Sequence, residues 1–338
     1  MKEWTLAQIW NESLDNEERE IAPRDRLYAS ELGRSDIDIY LKLKGEKPSN
    51  PPNDRSYRKF EVGNFFEWIV KVILMRAGIY QSSQDRVYSE MEDLLQVSGK
   101  LDFLAGGKPD YEKARASMND LMLPDFLAKR ANNIINYFEK NYPEGLEEVI
   151  LEIKSVAVIG FNKIEKTGKA VSGHDLQAFH YAFNLQKKAK LIYICRDDMR
   201  MIEISVNPED KALLERYRAK IEGITTYYND DKPPAPEPHV LFDEDTLKFT
   251  KNFNVEYSPF LKTVYGIENP DAYDKMYKSL IGSWNRVVGR IARGEKMTPK
   301  NLQALEDMDK NGFNKNLIVE TIKSKASEVA EDITEDEE

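Results

Sequence analysis

The 338-residue chain contains one cysteine, Cys195. An intrachain disulfide is therefore impossible, and no cysteine cluster exists to hold zinc or an iron–sulfur centre. Cys195 follows the apolar run Leu191-Ile192-Tyr193-Ile194 and reads as a small core residue. The sequence also lacks a signal-peptide pattern and any apolar run of membrane length, so a cytoplasmic setting without membrane contact is the expectation. No internal repeat is evident. Positive charge is in short supply, with a net charge of −10. Seven acids and no base fall between Glu328 and Glu338, and without them the balance is only −3. Such a stretch reads as a solvated, disordered tail over 328–338.

The most informative segment is Val149-Ile150-Leu151-Glu152-Ile153-Lys154-Ser155-Val156. Alternation along a strand sends Val149, Leu151 and Ile153 into a core while Glu152 and Lys154 share the other face. Charges buried without partners are costly, so that face is expected to open on a cleft or a metal. An exposed cross-face ion pair is the blander reading, and Glu and Lys are common enough that E-x-K is expected by chance in a chain this long.

The context narrows the choice. Leu95 to Phe103 has period two, with Val97, Leu101 and Phe103 on one side and Ser98, Lys100 and Asp102 on the other, so it reads as a strand. Asp102 could then enter the same cleft, or could be a turn residue before Gly106-Gly107. Gly63 to Leu74 reads as a helix that is apolar almost all round, in which Glu67 is the anomaly unless it pairs with Lys71 at i+4. Downstream, Leu176, Phe179 and Phe183 form the core stripe of a helix whose other side carries His174, Gln177 and Tyr181. His174 reads as a surface or cap histidine and is left outside the catalytic set.

These residues occur as Gly63 to Glu67, Gly99 to Asp102, Glu152 to Lys154, and Gln177 to Tyr181. In that order they resemble the PD-(D/E)XK nuclease superfamily, and within it the RecB-type and lambda-exonuclease-like branch. That branch carries a G-x-x-x-E helix, a G-x-x-D strand, an E-x-K strand and a Q-x-x-x-Y helix. The resemblance covers roughly residues 60 to 206. It implies an α/β, restriction-endonuclease-like core, with a central mixed sheet flanked by helices, a helical insertion and a helical C-terminal region. It also implies Mg²⁺-dependent hydrolysis of DNA phosphodiesters, leaving 5′-phosphate and 3′-hydroxyl ends, with Mn²⁺ able to substitute. Many RecB-type nucleases carry a cysteine-bound cluster after the core. This chain has none.

The chemistry suits the residue types. Mg²⁺ keeps several waters and needs one or two protein carboxylates, which Asp102 and Glu152 supply, with the Ile153 backbone carbonyl as a further ligand. Lys154 can hold or deprotonate the attacking water and counter transition-state charge, the more so if neighbouring cations and burial lower its pKa. The resemblance gives Glu67 a supporting role, through a water or a second metal. It has Gln177 orienting the lysine or the scissile phosphate, and Tyr181 packing or touching DNA.

Three basic clusters are candidates for DNA contact. Gly160 to Lys169 reads as a mobile loop offering Lys163, Lys166 and Lys169. The stripe Arg286, Arg290 and Arg293 suits either a DNA backbone or neighbouring carboxylates. Arg55, Arg58 and Lys59 precede the first core helix. The organisation expected is a helical extension over 1–60, the core over 61–230 with a helical insertion near 108–145, a Pro-rich linker at Lys232 to Pro238, and a mainly helical region over 231–327.

The reading is an exonuclease acting at DNA ends in recombination, repair or phage DNA metabolism, in a prokaryotic cell or phage-infected host. A recombination or replication protein is a further partner, and the oligomeric state is open. A structure- or sequence-selective endonuclease is the enzymatic alternative. A DNA-binding or assembly protein that keeps the fold without activity is the non-enzymatic one.

Overall fold

The computed structural model describes residues 21–335 except 245, with residues 5, 8 and 10 before them and side chains only as far as 325. Its chain divides into two compact units, residues 1–47 with 52–234 and residues 48–51 with 235–338.

The first unit contains, in order, β1 (Arg26–Tyr28), α1 (Asp36–Leu43), α2 (Asp54–Arg76), β2 (Tyr80–Ser82), β3 (Arg86–Tyr88), β4 (Gln96–Lys100) and β5 (Phe103–Gly107). Then come α3 (Tyr111–Asp120), α4 (Asp125–Asn141), β6 (Leu146–Val156), α5 (Val158–Thr167), α6 (His174–Leu185), β7 (Ala189–Cys195), β8 (Met201–Val206) and α7 (Lys211–Asn229). Five strands form a mixed sheet in the order β2-β5-β6-β7-β8, with β6 central. Only the β6–β7 pair is parallel. A parallel neighbour requires a crossover, which α5 and α6 provide.

Both faces of β6 are covered. Leu151 and Ile153 join Phe66, Val70 and Leu74 of α2 in one apolar cluster. Ile150, on the opposite face, belongs to a larger cluster with Phe161 of α5, Phe179 of α6 and Tyr217 of α7. Charged residues on the Ile150 face are thus surrounded by core. The insertion forms two helices packed through Ala114, Met118, Ala131 and Ile135.

Several expectations are corrected. The region over 1–60 is not simply helical, because β1 pairs parallel with β4 in a second, three-stranded sheet with β3. The first core helix begins at Asp54, where the Asn53 side chain accepts from the Ser56 amide and caps it. Arg55, Arg58 and Lys59 therefore lie on α2 and not before it. The segment from Leu95 to Phe103 is not one strand. β4 and β5 belong to different sheets, and the chain changes sheets at Leu101 and Asp102. Gly160 to Lys169 is not a loop, since α5 occupies it and is anchored by buried Phe161 and Ile164 at i and i+3.

The second unit opens with a hairpin, β9 (Val240–Asp243) and β10 (Lys248–Lys251), that the mainly helical expectation missed. It continues with α8 (Phe253–Glu256), α9 (Leu261–Tyr265), α10 (Pro270–Ala292), α11 (Pro299–Lys310) and α12 (Lys315–Glu335). Its core is built around Phe249, Trp284, Val287, Met308 and Ile322. Pro48–Pro51 also belongs to this unit, tied by the Asn50 amide to the Pro259 carbonyl at 2.8 Å. The boundary is therefore not a single cut at the Pro-rich linker. α12 continues to Glu335, so most of the acidic stretch expected to be disordered has a helical backbone. The apolar spacing Ile318, Ile322, Ala326, Val329, Ile333 carries the helical period into it. Residues 336–338 lie outside the described residues.

Candidate active site

The ladder between β5 and β6 brings the two key acids together. Phe103 pairs with Leu151 in antiparallel register. One step further along, Asp102 comes opposite Glu152, with side chains on one face, and directly opposed residues have Cβ atoms about 5 Å apart. Asp102 is fixed there because its Oδ2 accepts the Ile153 amide at 2.7 Å. Its position is neither mid-strand nor a free turn: it begins the sheet crossing and spends one oxygen on the neighbouring strand. Only 9% of Asp102 and 1% of Glu152 is exposed, so water cannot fully solvate either charge.

Lys154, two residues beyond Glu152 on the same face, donates to Glu152 Oε1 at 2.7 Å and to Gln177 Oε1 at 3.0 Å. Gln177 lies on α6, which packs over that face. Its Nε2 donates to the Tyr181 hydroxyl at 3.4 Å, and that hydroxyl donates to the Lys100 carbonyl at 2.9 Å. The chain of hydrogen bonds runs from the lysine back to β4 and fixes the orientation of the Gln177 amide. Tyr181 is only 1% exposed, which removes it from any contact with DNA. Of its two expected roles, packing is the one observed.

Gly99 explains where Tyr181 fits. A Cβ on Gly99 would stand 2.7 Å from the Tyr181 ring and 2.8 Å from the Ala29 Cβ. Gly99→Ala should therefore cost about 1–3 kcal/mol by overpacking, read as a lower midpoint in urea denaturation. Gly63 faces no such neighbour, as a Cβ there meets nothing within 4 Å. In mid-helix, Gly63→Ala should be neutral or stabilise by up to about 1 kcal/mol in the same measurement. Equal effects at the two glycines would remove this account of Gly99.

The electrostatics are those of a site with too much negative charge. Burial, then the charge of Asp102, raises the pKa of Glu152 above the ordinary range. Burial raises that of Asp102 as well, against the opposing pull of the Ile153 amide. Glu67 on α2 is pushed up to about 7 by burial and then by Asp102. Its possible i+4 partner Lys71 instead holds its ammonium 5.1 Å from the Tyr80 ring centroid. Burial alone would depress the Lys154 ammonium, but Glu152, Asp102 and Glu67 outweigh it and its pKa is raised. The condition that neighbouring cations and burial lower it is not met: the neighbours are carboxylates, and at neutral pH Lys154 carries its proton.

Two further side chains stand beside the lysine. Tyr193 is the cross-strand partner of Lys154 on β7, and its hydroxyl bonds His174 Nδ1 at 3.0 Å and accepts the Val171 amide at 3.0 Å. Burial, then Lys154, lowers His174 to about 4, so its ring is neutral. In the sequence Tyr193 reads only as part of an apolar strand. Its signal would have been the pairing register, which a single sequence does not display.

The donor set fits a hard divalent ion. Glu152 Oε2 is buried without a hydrogen-bond partner, while its other oxygen is held by Lys154. An unpaired carboxylate oxygen costs free energy that a cation would recover. Among the described residues no three His, Cys, Asp or Glu side chains are close enough to hold an ion by themselves. Two carboxylates and the Ile153 carbonyl are nevertheless sufficient for Mg²⁺, and Glu67 would act at longer range.

The basic candidates are spread over separate elements. Lys163 and Lys166 are exposed on α5, and Lys169 is exposed just beyond it. Arg286, Arg290 and Arg293 fall in the second unit, where Arg290 Nε lies 3.3 Å and Arg293 Nε 2.6 Å from Glu295. These two arginines thus share one carboxylate, which leaves the stripe with a net positive charge. Among the described residues no helix is long and apolar enough to cross a membrane.

No protein-family model matches the chain, and no curated protein sequence matches it. Solved structures show distant likeness. The crystal structure of SSO0001 aligns over 65% of this chain and 86% of its own, with a TM-score of 0.37 and 11% identity. An alkaline exonuclease from Laribacter hongkongensis, LHK-Exo, aligns over 66% and 93%, with a TM-score of 0.36 and 11% identity. The structure of LHK-Exo in complex with dAMP aligns over 61% and 89%, with a TM-score of 0.37 and 12% identity.

Proposed function

We propose that this protein is a metal-dependent deoxyribonuclease, and specifically an exonuclease that hydrolyses phosphodiester bonds from DNA ends. The observation that carries the reading is the buried Glu152 carboxylate, paired through one oxygen to Lys154, unpartnered at the other, and set opposite Asp102. Such a cluster is expensive to fold and is relieved by a dication and a phosphate together.

Asp102, Glu152 and the Ile153 carbonyl would hold Mg²⁺, or Mn²⁺, which accepts the same oxygen donors. When bound, the ion supplies Lewis-acid neutralisation of the phosphoryl oxygens. Lys154 contributes as an ammonium. It has three donors, of which Glu152 and Gln177 take two, so one remains for a phosphoryl oxygen on which charge builds. Gln177 is a positioning residue that aims this donor. Glu67, with a pKa near 7, can hold or release a proton at neutral pH beside the reacting groups. The lysines of α5 are suited to contacting the DNA backbone at the surface of the same unit.

Purified protein should degrade linear duplex DNA in Mg²⁺, leave covalently closed circles intact, and do neither in EDTA, as followed by gel electrophoresis. Cutting of circles would replace the exonuclease by an endonuclease. Inertness on every substrate with Mg²⁺ or Mn²⁺ would leave a DNA-binding or assembly protein.

A further inference from the structure

The second unit contains a cluster that the hydrolytic centre does not use. Between the C-terminal half of α10 and the start of α11 lies a groove of about 640 Å³, lined by Arg286, Arg290, Arg293 and Lys300, with Glu295 and Asn301 among the other walls. Four cations face one carboxylate. The opposite side of α10 is core, with Trp284, Val287 and Val288 buried, so the arginine stripe is the helix's outward face.

The local sequence makes room for the guanidiniums. Helical side chains lean towards the N-terminus, over the preceding turn. Gly282 and Gly289 sit one turn before Arg286 and Arg293, and a Cβ at either would come 3.9 Å and 3.3 Å from the respective Nη1 atoms. The arginines thus lie back along a floor partly stripped of side chains. Glu295 receives both Arg290 and Arg293, which holds two guanidiniums together while cancelling only one charge. Thr298 caps α11, whose first turn carries Lys300 and Asn301 and adds the positive end of its dipole to the same groove.

We infer that this groove binds the phosphodiester backbone of a nucleic-acid strand, as a site separate from the hydrolytic centre. The row from Arg286 to Arg293 spans seven residues, about 10 Å of helix. That is long enough to face more than one phosphate of a strand, where a single small anion would occupy only part of it. Guanidinium forks also match phosphate oxygens two at a time. The inference does not depend on the hydrolytic reading, because none of these residues belongs to that centre.

The test uses the full chain with Arg286→Gln and Lys300→Gln combined, neither of which pairs with Glu295. Binding of a 20-nucleotide fluorescent DNA strand is measured in EDTA by anisotropy over a range of salt. The double variant should bind about tenfold more weakly, and its log affinity against log salt should flatten by about 1.5, as expected for two lost phosphate contacts. Its melting temperature should match the wild type. Glu152→Gln should bind the strand normally, so loss of hydrolysis and loss of the groove are read separately. Unchanged affinity and salt slope would overturn the inference. Competition by inorganic phosphate, or by polyglutamate, as effective as by unlabelled strand at equal charge would overturn it too, in favour of a small-anion or an acidic-peptide site.

Discussion

Glu152→Gln should lower phosphodiester hydrolysis by about 10³-fold or more while leaving the melting temperature unchanged or slightly raised. The substitution keeps the volume of the side chain and an oxygen that can accept from Lys154, and it removes a charge that the fold holds with one oxygen unpartnered. Loss of one preorganised electrostatic group costs about 10²–10³ in turnover, and loss of a charged metal ligand belongs at the upper end. Stability should move the other way, because a buried carboxylate whose pKa is raised by burial and by Asp102 is a liability without a cation. Lys154→Ala is a less clean companion. It would strand Glu152 with neither oxygen paired, at a cost of about 3–5 kcal/mol, and should lower turnover more than substrate affinity. Wild-type turnover in Glu152→Gln, measured on linear DNA in Mg²⁺, would remove the proposed mechanism. A fall in melting temperature of many degrees would instead make Glu152 a structural residue.

How much of this could be read from the residues depends on whether the signal is local. The alternation of Val149 to Lys154 survives intact because β6 is a long central strand with a different cluster against each face. Leu176 and Phe179 are buried on α6 as their stripe suggests, but Gln177, His180 and Tyr181 are buried as well, so the helix is not one-sided. Asp102 is the instructive failure. Leu101 is buried in one core and Phe103 in another, so the period-two pattern runs unbroken across a point where the chain leaves one sheet for the next. Alternation reports which side is buried, not what it is buried against. The same limit hid α5, whose polar run is fixed by tertiary contacts of Phe161 and Ile164. The charge state of Lys154 is also illegible, since it is set by carboxylates from α2, β6 and the entry to β5, Glu67, Glu152 and Asp102, which are far apart in sequence. Tyr181 could have been placed only by knowing that Gly99 lies beneath it.

The second large effect expected is a pH-dependent stabilisation by Mg²⁺. Glu67 has an ordinary carboxyl value of 4.5 when unfolded and about 7 when folded, so the folded state binds its proton more tightly. Below 4.5 both states are protonated. Between 4.5 and 7 the unfolded chain loses the proton first and is stabilised by doing so, so the metal-free protein loses stability as pH rises through that window. The contribution is about 1–2 kcal/mol after allowing for screening at a partly exposed group. Glu152 and Asp102, also raised, act in the same direction. A dication held as proposed would oppose the whole loss, because it would bind only the ionised carboxylates of the folded state. At about 100 times its Kd, Mg²⁺ adds about 2.7 kcal/mol, which for a unit of this size is roughly 5–10 °C in melting temperature. Calorimetry at pH 8 should show that increment. It should shrink towards zero at pH 5, where protons compete for the same oxygens, and vanish at both values in Glu152→Gln. Glu67→Gln should flatten the metal-free decline between pH 5 and 7 while retaining a response to Mg²⁺, because it removes a titrating group without removing either proposed ligand. An increment of equal size at pH 5 and pH 8, or one that persists in Glu152→Gln, would mean that Mg²⁺ binds elsewhere and that the buried carboxylates are not its ligands.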